Sequence, residues 1–149
     1  MRRRTSLIVA AIALVALAIP SGALAGGTDL KANLTGEQET PAGSGAPNGE
    51  GVAKINLKPK RNEVCWKLRF SGIAGKATSS AIFLGSKGED GPTKVLFFDT
   101  KQTSPVSGCT KNIARSKIRK IKQHPRRYHV NVESKKYPDG AIRGQLRRV

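Results

Sequence analysis

From Leu30 onward, apolar and polar side chains take turns along most of the chain. Leu30, Ala32 and Leu34 alternate with polar neighbours, and the stretch to Thr35 reads as a first strand. Ala53, Ile55 and Leu57 alternate with Lys54, Asn56 and Lys58. Val64, Trp66, Leu68 and Phe70 alternate with Cys65, Lys67 and Arg69. Successive strand side chains point to opposite faces, so each run predicts a strand with one buried and one wet face. The polar turn 58–62 joins the two runs into a hairpin. Ser79–Leu84 and Lys94–Phe98 are further strand candidates, separated by the Gly-rich loop 85–92. Tyr128, Val130 and Val132 alternate with His129, Asn131 and Glu133. The turn Tyr137-Pro138-Asp139-Gly140 then leads into a last strand over Ala141–Leu146.

The period changes once. Ala114, Ile118 and Ile121 stand at i, i+4 and i+7 with Ile113 alongside, which predicts a short helix near residues 111–123. Thr110 or Ser116 is placed to cap its start, and Pro125 marks its end. Residues 40–51, rich in Gly, Pro and Ser, read as a loop that packs no core. About seven short strands with one short helix predict an all-β protein, a β-sandwich or barrel.

The first 25 residues stand apart from this pattern. Arg2, Arg3 and Arg4 precede an uncharged run from Leu7 to Ile19, then Pro20 and the triplet Ala23-Leu24-Ala25. A basic start, a short apolar segment and an A-x-A site predict a secretory signal peptide over 1–25, cleaved after Ala25. The apolar run is too short for a spanning helix, which takes about 20 residues. No later segment is long and apolar enough to span a membrane. The chain is thus expected to be secreted, extracellular or in the cell envelope.

That destination changes how charge and cysteines are read. The chain carries a formal charge of +17, and losing the three signal arginines leaves +14. Such a balance draws anionic partners, and export directs it away from specific nucleic acid and toward envelope or extracellular polymers. An even number of cysteines, Cys65 and Cys109, reads as a disulfide in an oxidising compartment. Two free thiols or two metal ligands are the alternatives, although a metal site needs more Cys or His nearby than His124 and His129 supply. Alternation puts Cys65 opposite Trp66, so the bridge is expected to tie a covering loop onto the sheet exterior.

Asn131-Val132 followed by Tyr137-Pro138-Asp139-Gly140-Ala141-Ile142-Arg143-Gly144-Gln145-Leu146 resembles the closing motif of the CHRD domain. That domain is repeated in chordin and occurs singly in many exported microbial proteins. Leu34, Gly36, Glu39 and Pro41 match its opening pattern, and Gly72-Ile73 fits its middle. The resemblance spans 29–147 and implies a Greek-key β-sandwich or barrel, similar in layout to immunoglobulin or copper/zinc superoxide dismutase domains. It implies no particular activity. The family usually carries His-Ile-His on a middle strand and Asn-Val-His near the end. Here the triplets are Ala81-Ile82-Phe83 and Asn131-Val132-Glu133. Alternate strand residues share a face, so those histidines are spaced to bind a metal, and this chain is expected not to do so.

Two groups of residues remain as site candidates. From Lys111 to Tyr128 the chain is basic with no acid. Arg115, Arg119 and Lys122 share one side of the predicted helix, Lys117 and Lys120 another, and Arg126 and Arg127 follow. The functional reading is a docking surface for a polyanion, and the plainer one is a solvated surface in a generally basic protein. Arg143 lies within a strand, where a charge needs a partner; a structural ion pair with an acid such as Glu39 is expected, and a ligand site is the alternative. Gly144 beside it permits a bulge or a close backbone approach.

No Gly-x-Ser-x-Gly, His-Glu-x-x-His or phosphate loop is present. The expectation is a non-enzymatic binding or structural module without cofactor. It would dock an anionic polymer or a protein partner. The alternative is an enzyme-like or metal-binding relative that has lost its histidine ligands.

Overall fold

A computed structural model describes residues 27–149. The expected signal peptide lies outside the described residues. Among these residues nine strands are formed: β1 (Thr28–Thr35), β2 (Glu50–Lys58), β3 (Glu63–Ser71), β4 (Ala77–Leu84), β5 (Thr93–Phe98), β6 (Val106–Thr110), β7 (Tyr128–Ser134), β8 (Ile142–Gln145) and β9 (Arg147–Arg148). One helix, α1 (Arg115–Gln123), separates β6 from β7. The strands pair antiparallel in the order β5-β4-β7-β8-β1-β2-β3-β6, with β9 added beside β1.

The two ends of this order curl toward each other and nearly close a barrel. Thr110 Oγ1 on β6 donates to the Leu96 carbonyl on β5 at 2.6 Å, and Trp66 Nε1 donates to Thr110 Oγ1 at 3.3 Å. The Trp66 ring stacks on Phe97 with centroids 5.2 Å apart, and Phe98 lies at 5.8 Å. Taken across this seam, β4, β5 and β6 lie side by side. β7 returns beside β4 by way of α1, which is the Greek-key order.

The alternating residues of the sequence fill the barrel as their period dictates. Leu30, Ala32 and Leu34, then Ala53, Ile55 and Leu57, then Val64, Trp66 and Leu68 all point inward and are buried. The hairpin register Ile55↔Trp66 and Ala53↔Leu68 follows from the turn at 59–62, a 3₁₀ turn with Asn62 in the left-handed region at φ 51°.

Four expectations are corrected. First, segment 40–51 packs more than a loop was expected to. Ala46 belongs to the core, its N–H donates to the Ala141 carbonyl at 2.8 Å, and β2 already begins at Glu50. Second, α1 starts at Arg115 with Ala114 as its exposed N-cap residue and no side-chain cap. Thr110 is engaged at the seam instead, and Ser116 lies inside the helix. Third, Cys65 and Cys109 are bonded, but the bridge ties no loop: residues 106–110 form a strand, and the two cysteines face each other in register. The segment Val-Ser-Gly-Cys-Thr has too little alternation to announce itself. Fourth, the last strand is broken after Gln145 because Leu146 turns in to donate to the Tyr128 carbonyl at 2.9 Å.

Helix α1 lies across the barrel end that holds the β2–β3 turn and the start of β7. Ile118 and Ile121 are fully buried, Ile113 N–H donates to the Asn62 carbonyl at 2.9 Å, and Arg115 Nε donates to the Pro59 carbonyl at 3.1 Å. No helix among the described residues is long and apolar enough to cross a membrane.

Candidate functional site

The opening and closing sequence motifs converge at the other end of the barrel. β7 and β8 pair Asn131 with Arg143, and both side chains point outward. The Gly-rich loop 85–92 folds back over them. Arg143 is therefore 1% exposed. Its Nη1 donates to Thr40 Oγ1 at 2.5 Å and Asp90 Oδ1 at 2.8 Å, and its Nη2 donates to the Ser86 and Glu89 carbonyls at 3.0 and 2.5 Å.

The ion pair expected between Arg143 and Glu39 is corrected accordingly: the carboxylate partner is Asp90. Glu39 is buried beside it and accepts from Asn131 Nδ2 at 3.3 Å. Burial drives its carboxyl up to about 7, against the lowering influence of Arg143. Asn131 Nδ2 also reaches the Asp139 carbonyl at 3.4 Å. Gly140, at φ +147°, leaves no room there for a Cβ, which would strike Glu39 and Asn131. Gly144 likewise allows the backbone of Asn33 to approach.

The positions where histidines were missed share this outer face. β4 and β7 set Ala81 opposite Asn131, Phe83 opposite His129 and Ser79 opposite Glu133. The Phe83 and His129 rings stack at 5.5 Å. His129 Nδ1–H donates to the Gly85 carbonyl at 3.1 Å, and burial holds the imidazole below its usual value. This outer face is largely buried because loop 85–92 and Glu39 cover it. In this constellation Arg143 and His129 donate to loop 85–92, Arg143 also to Thr40, and Asn131 to Glu39 and the Asp139 carbonyl.

Among the described residues, Glu63, Cys65 and Cys109 bring three ligand-type atoms together. The two sulfurs are joined to each other, and Lys58 Nζ donates to Glu63 at 2.9 Å, holding that carboxyl below its usual range.

The basic residues form the remaining surface. Arg115, Arg119, Lys120, Lys122, Arg126 and Arg127 are exposed and Lys117 half-exposed, on α1 and the 3₁₀ turn Pro125–Arg127 that follows. Ile118, Ile121 and Pro125 are buried beneath them and fix that surface in place. Among the described residues, none of the seven makes an ion pair. Two depressions flank the C-terminal end of α1. One, of about 580 Å³, is lined in part by Lys94, Lys117, Lys120 and Arg127. The other, of about 610 Å³, is walled by Arg126, Arg127, Arg147 and Arg148. They share Gln123, His124 and Arg127, and among the described residues no carboxylate lines either. Arg148 Nη2 donates to the Lys122 carbonyl at 3.3 Å at the helix end. Sequence reasoning missed Arg147 and Arg148. They sit 20 residues beyond the basic stretch, and only β9 beside β1 carries them to it.

The family model for the CHRD domain matches residues 30–146. No curated protein and no solved structure matches the chain.

Proposed function

The chain belongs to the CHRD-domain family, and from that premise we propose that it is an exported, non-enzymatic module that docks an anionic polymer through the face formed by α1, the turn 125–127 and β9. One observation carries this reading: a dense set of exposed cations, seated on buried Ile118 and Ile121, makes no ion pair with a carboxylate among the described residues. Cations held this close repel one another, and a polyanion relieves that repulsion while releasing its own counterions. The signal-like residues 1–25 and the Cys65–Cys109 bridge fit a place outside the cytoplasm. The buried polar cluster around Arg143 fits a structural role, since its groups are spent on holding loop 85–92.

The test is salt-dependent retention of residues 26–149 on immobilised long-chain polyphosphate and heparin. Replacing Arg115, Arg119, Lys122, Arg126 and Arg127 by Gln is expected to weaken binding more than tenfold. It should flatten the salt dependence by about 0.7–0.9 log units per cation that met the polymer. Retention that is indifferent to these substitutions overturns the reading.

A further inference from the structure

The barrel wall carries a second cationic array that the helix does not touch. The sheet register sets Arg147 of β9 opposite Lys31 of β1, Lys31 opposite Lys54 of β2, and Lys54 opposite Lys67 of β3. Residues in register point to one side of a sheet. Leu30, Ile55 and Trp66 point into the barrel, so these four cations form a single rung across four adjacent strands on its outside. Neighbouring members are about 5 Å apart, and the rung spans about 15 Å.

Like charges directly opposite one another destabilise a sheet, and Lys54 is flanked on both sides. Among the described residues, none of the four makes an ion pair. Asp29 is on the same face and keeps its charge; its carboxylate accepts from Asn56 Nδ2 at 2.6 Å and pairs with none of the four among the described residues. The fold tolerates an arrangement that local energetics disfavours, and sites of that kind are where function is bought at the expense of stability.

The rung is continuous with the helix surface. Arg147 is both its end member and a wall of the arginine depression beside Arg126, Arg127 and Arg148. A shallow depression of about 540 Å³ runs over Lys31, Lys54 and Lys67 to Val149.

Resting on the docking reading above, we propose that the ligand is a flexible, linear, phosphate-bearing polymer. It crosses the arginine depression at the end of α1 and continues over the barrel wall along Arg147, Lys31, Lys54 and Lys67. The path turns from the barrel end onto its side, which a flat bilayer does not follow. The cations are closely spaced, so the ligand must present charge at every unit. A polysaccharide with one carboxylate on alternate sugars leaves most of the rung facing neutral groups, whereas a phosphate-linked chain does not. Forked guanidinium groups at the turn of the path suit tetrahedral oxyanions.

The experiment titrates residues 26–149 with long-chain polyphosphate and with tripolyphosphate across a salt series. It compares the native chain, the triple variant Lys31→Gln/Lys54→Gln/Lys67→Gln, and the helix variant described above. The long chain is expected to bind at least tenfold more tightly than the short one, because it engages helix face and wall together. The triple variant should lose at least fivefold in affinity for the long chain and about 2 units of salt slope, but little for tripolyphosphate. It should also melt a few degrees higher than the native chain, since it removes opposed charges. A role confined to structure would raise the melting point and leave binding alone.

Unchanged long-chain affinity in the triple variant, with loss in the helix variant, overturns the wall path and leaves the docking reading standing. Loss in neither variant overturns both. Equal binding of polyglutamate overturns the phosphate assignment. Phosphatidylglycerol vesicles binding more tightly than polyphosphate, with loss in the triple variant, overturn the polymer.

Discussion

Arg143 and Asp90 form one ion pair, yet its two members stand in different surroundings. Arg143 is 1% exposed at its side chain and Asp90 is 70% exposed. Truncating Arg143 to Ala strips two loop carbonyls and the Thr40 hydroxyl of their donor and opens a cavity. It is expected to cost about 3 kcal/mol and lower the melting temperature by roughly 10 °C. Asp90→Asn, which removes a charge already in water, should cost under about 1 kcal/mol. Thermal melts of the two variants check the asymmetry, and equal losses would contradict it. Glu39 gives the second prediction at this scale. Its carboxyl is raised from 4.5 to about 7, so the folded chain holds a proton that the unfolded chain has released between those values. The stabilisation is complete below about pH 4.5 and lost as pH rises through 7. Glu39→Gln keeps the shape without the titration, so the difference in melting temperature between variant and native chain should grow in the variant's favour from pH 5 to pH 8. That Arg143 needs a partner was legible in the sequence, because a charge inside an alternating strand must be paired. Which acid it takes was not, because Asp90 arrives from a loop whose fold depends on the arginine itself.

Elements with a clean period were legible almost to their ends. β2 and β3 bury the alternate residues that their pattern assigns, and Ile118 and Ile121 point α1 at the barrel as the i, i+3 spacing requires. β6 was not legible. With Gly108 at its centre and little alternation around it, its place comes from neighbours: Trp66 lies over Gly108, where a Cβ would strike the indole. The bridge pairing Cys65 with Cys109 holds this strand to β3. Replacing both cysteines by Ala is expected to cost about 2–4 kcal/mol. The loss should be local first: hydrogen exchange at 106–110 should quicken well before that of β1 and β2. Uniform acceleration across the barrel would show that the bridge supports the whole fold equally.

At the scale of the molecule, counting alternating runs narrowed the fold to an all-β sandwich or barrel, but did not choose between the two. A period of two says which face is buried and nothing about which strands meet. The docking surface divides in the same way. The stretch 111–127 was visible as a run of charge, but the wall cations are single residues on four strands, and only the register brings them together. The seam has a further consequence. Because β5 and β6 meet through the Thr110 hydroxyl on the Leu96 carbonyl, and through Trp66 of β3 stacked on Phe97, with no backbone ladder between them among the described residues, each keeps an edge that no strand pairs. Behind the β5 edge runs Val95-Leu96-Phe97-Phe98, apolar throughout, with Leu96 already 43% exposed. Such a segment is a template for pairing with another chain once it is uncovered. Thr110 and Trp66 thus span the one seam that no backbone ladder closes among the described residues, and on heating β5 and β6 are expected to part before the barrel unfolds.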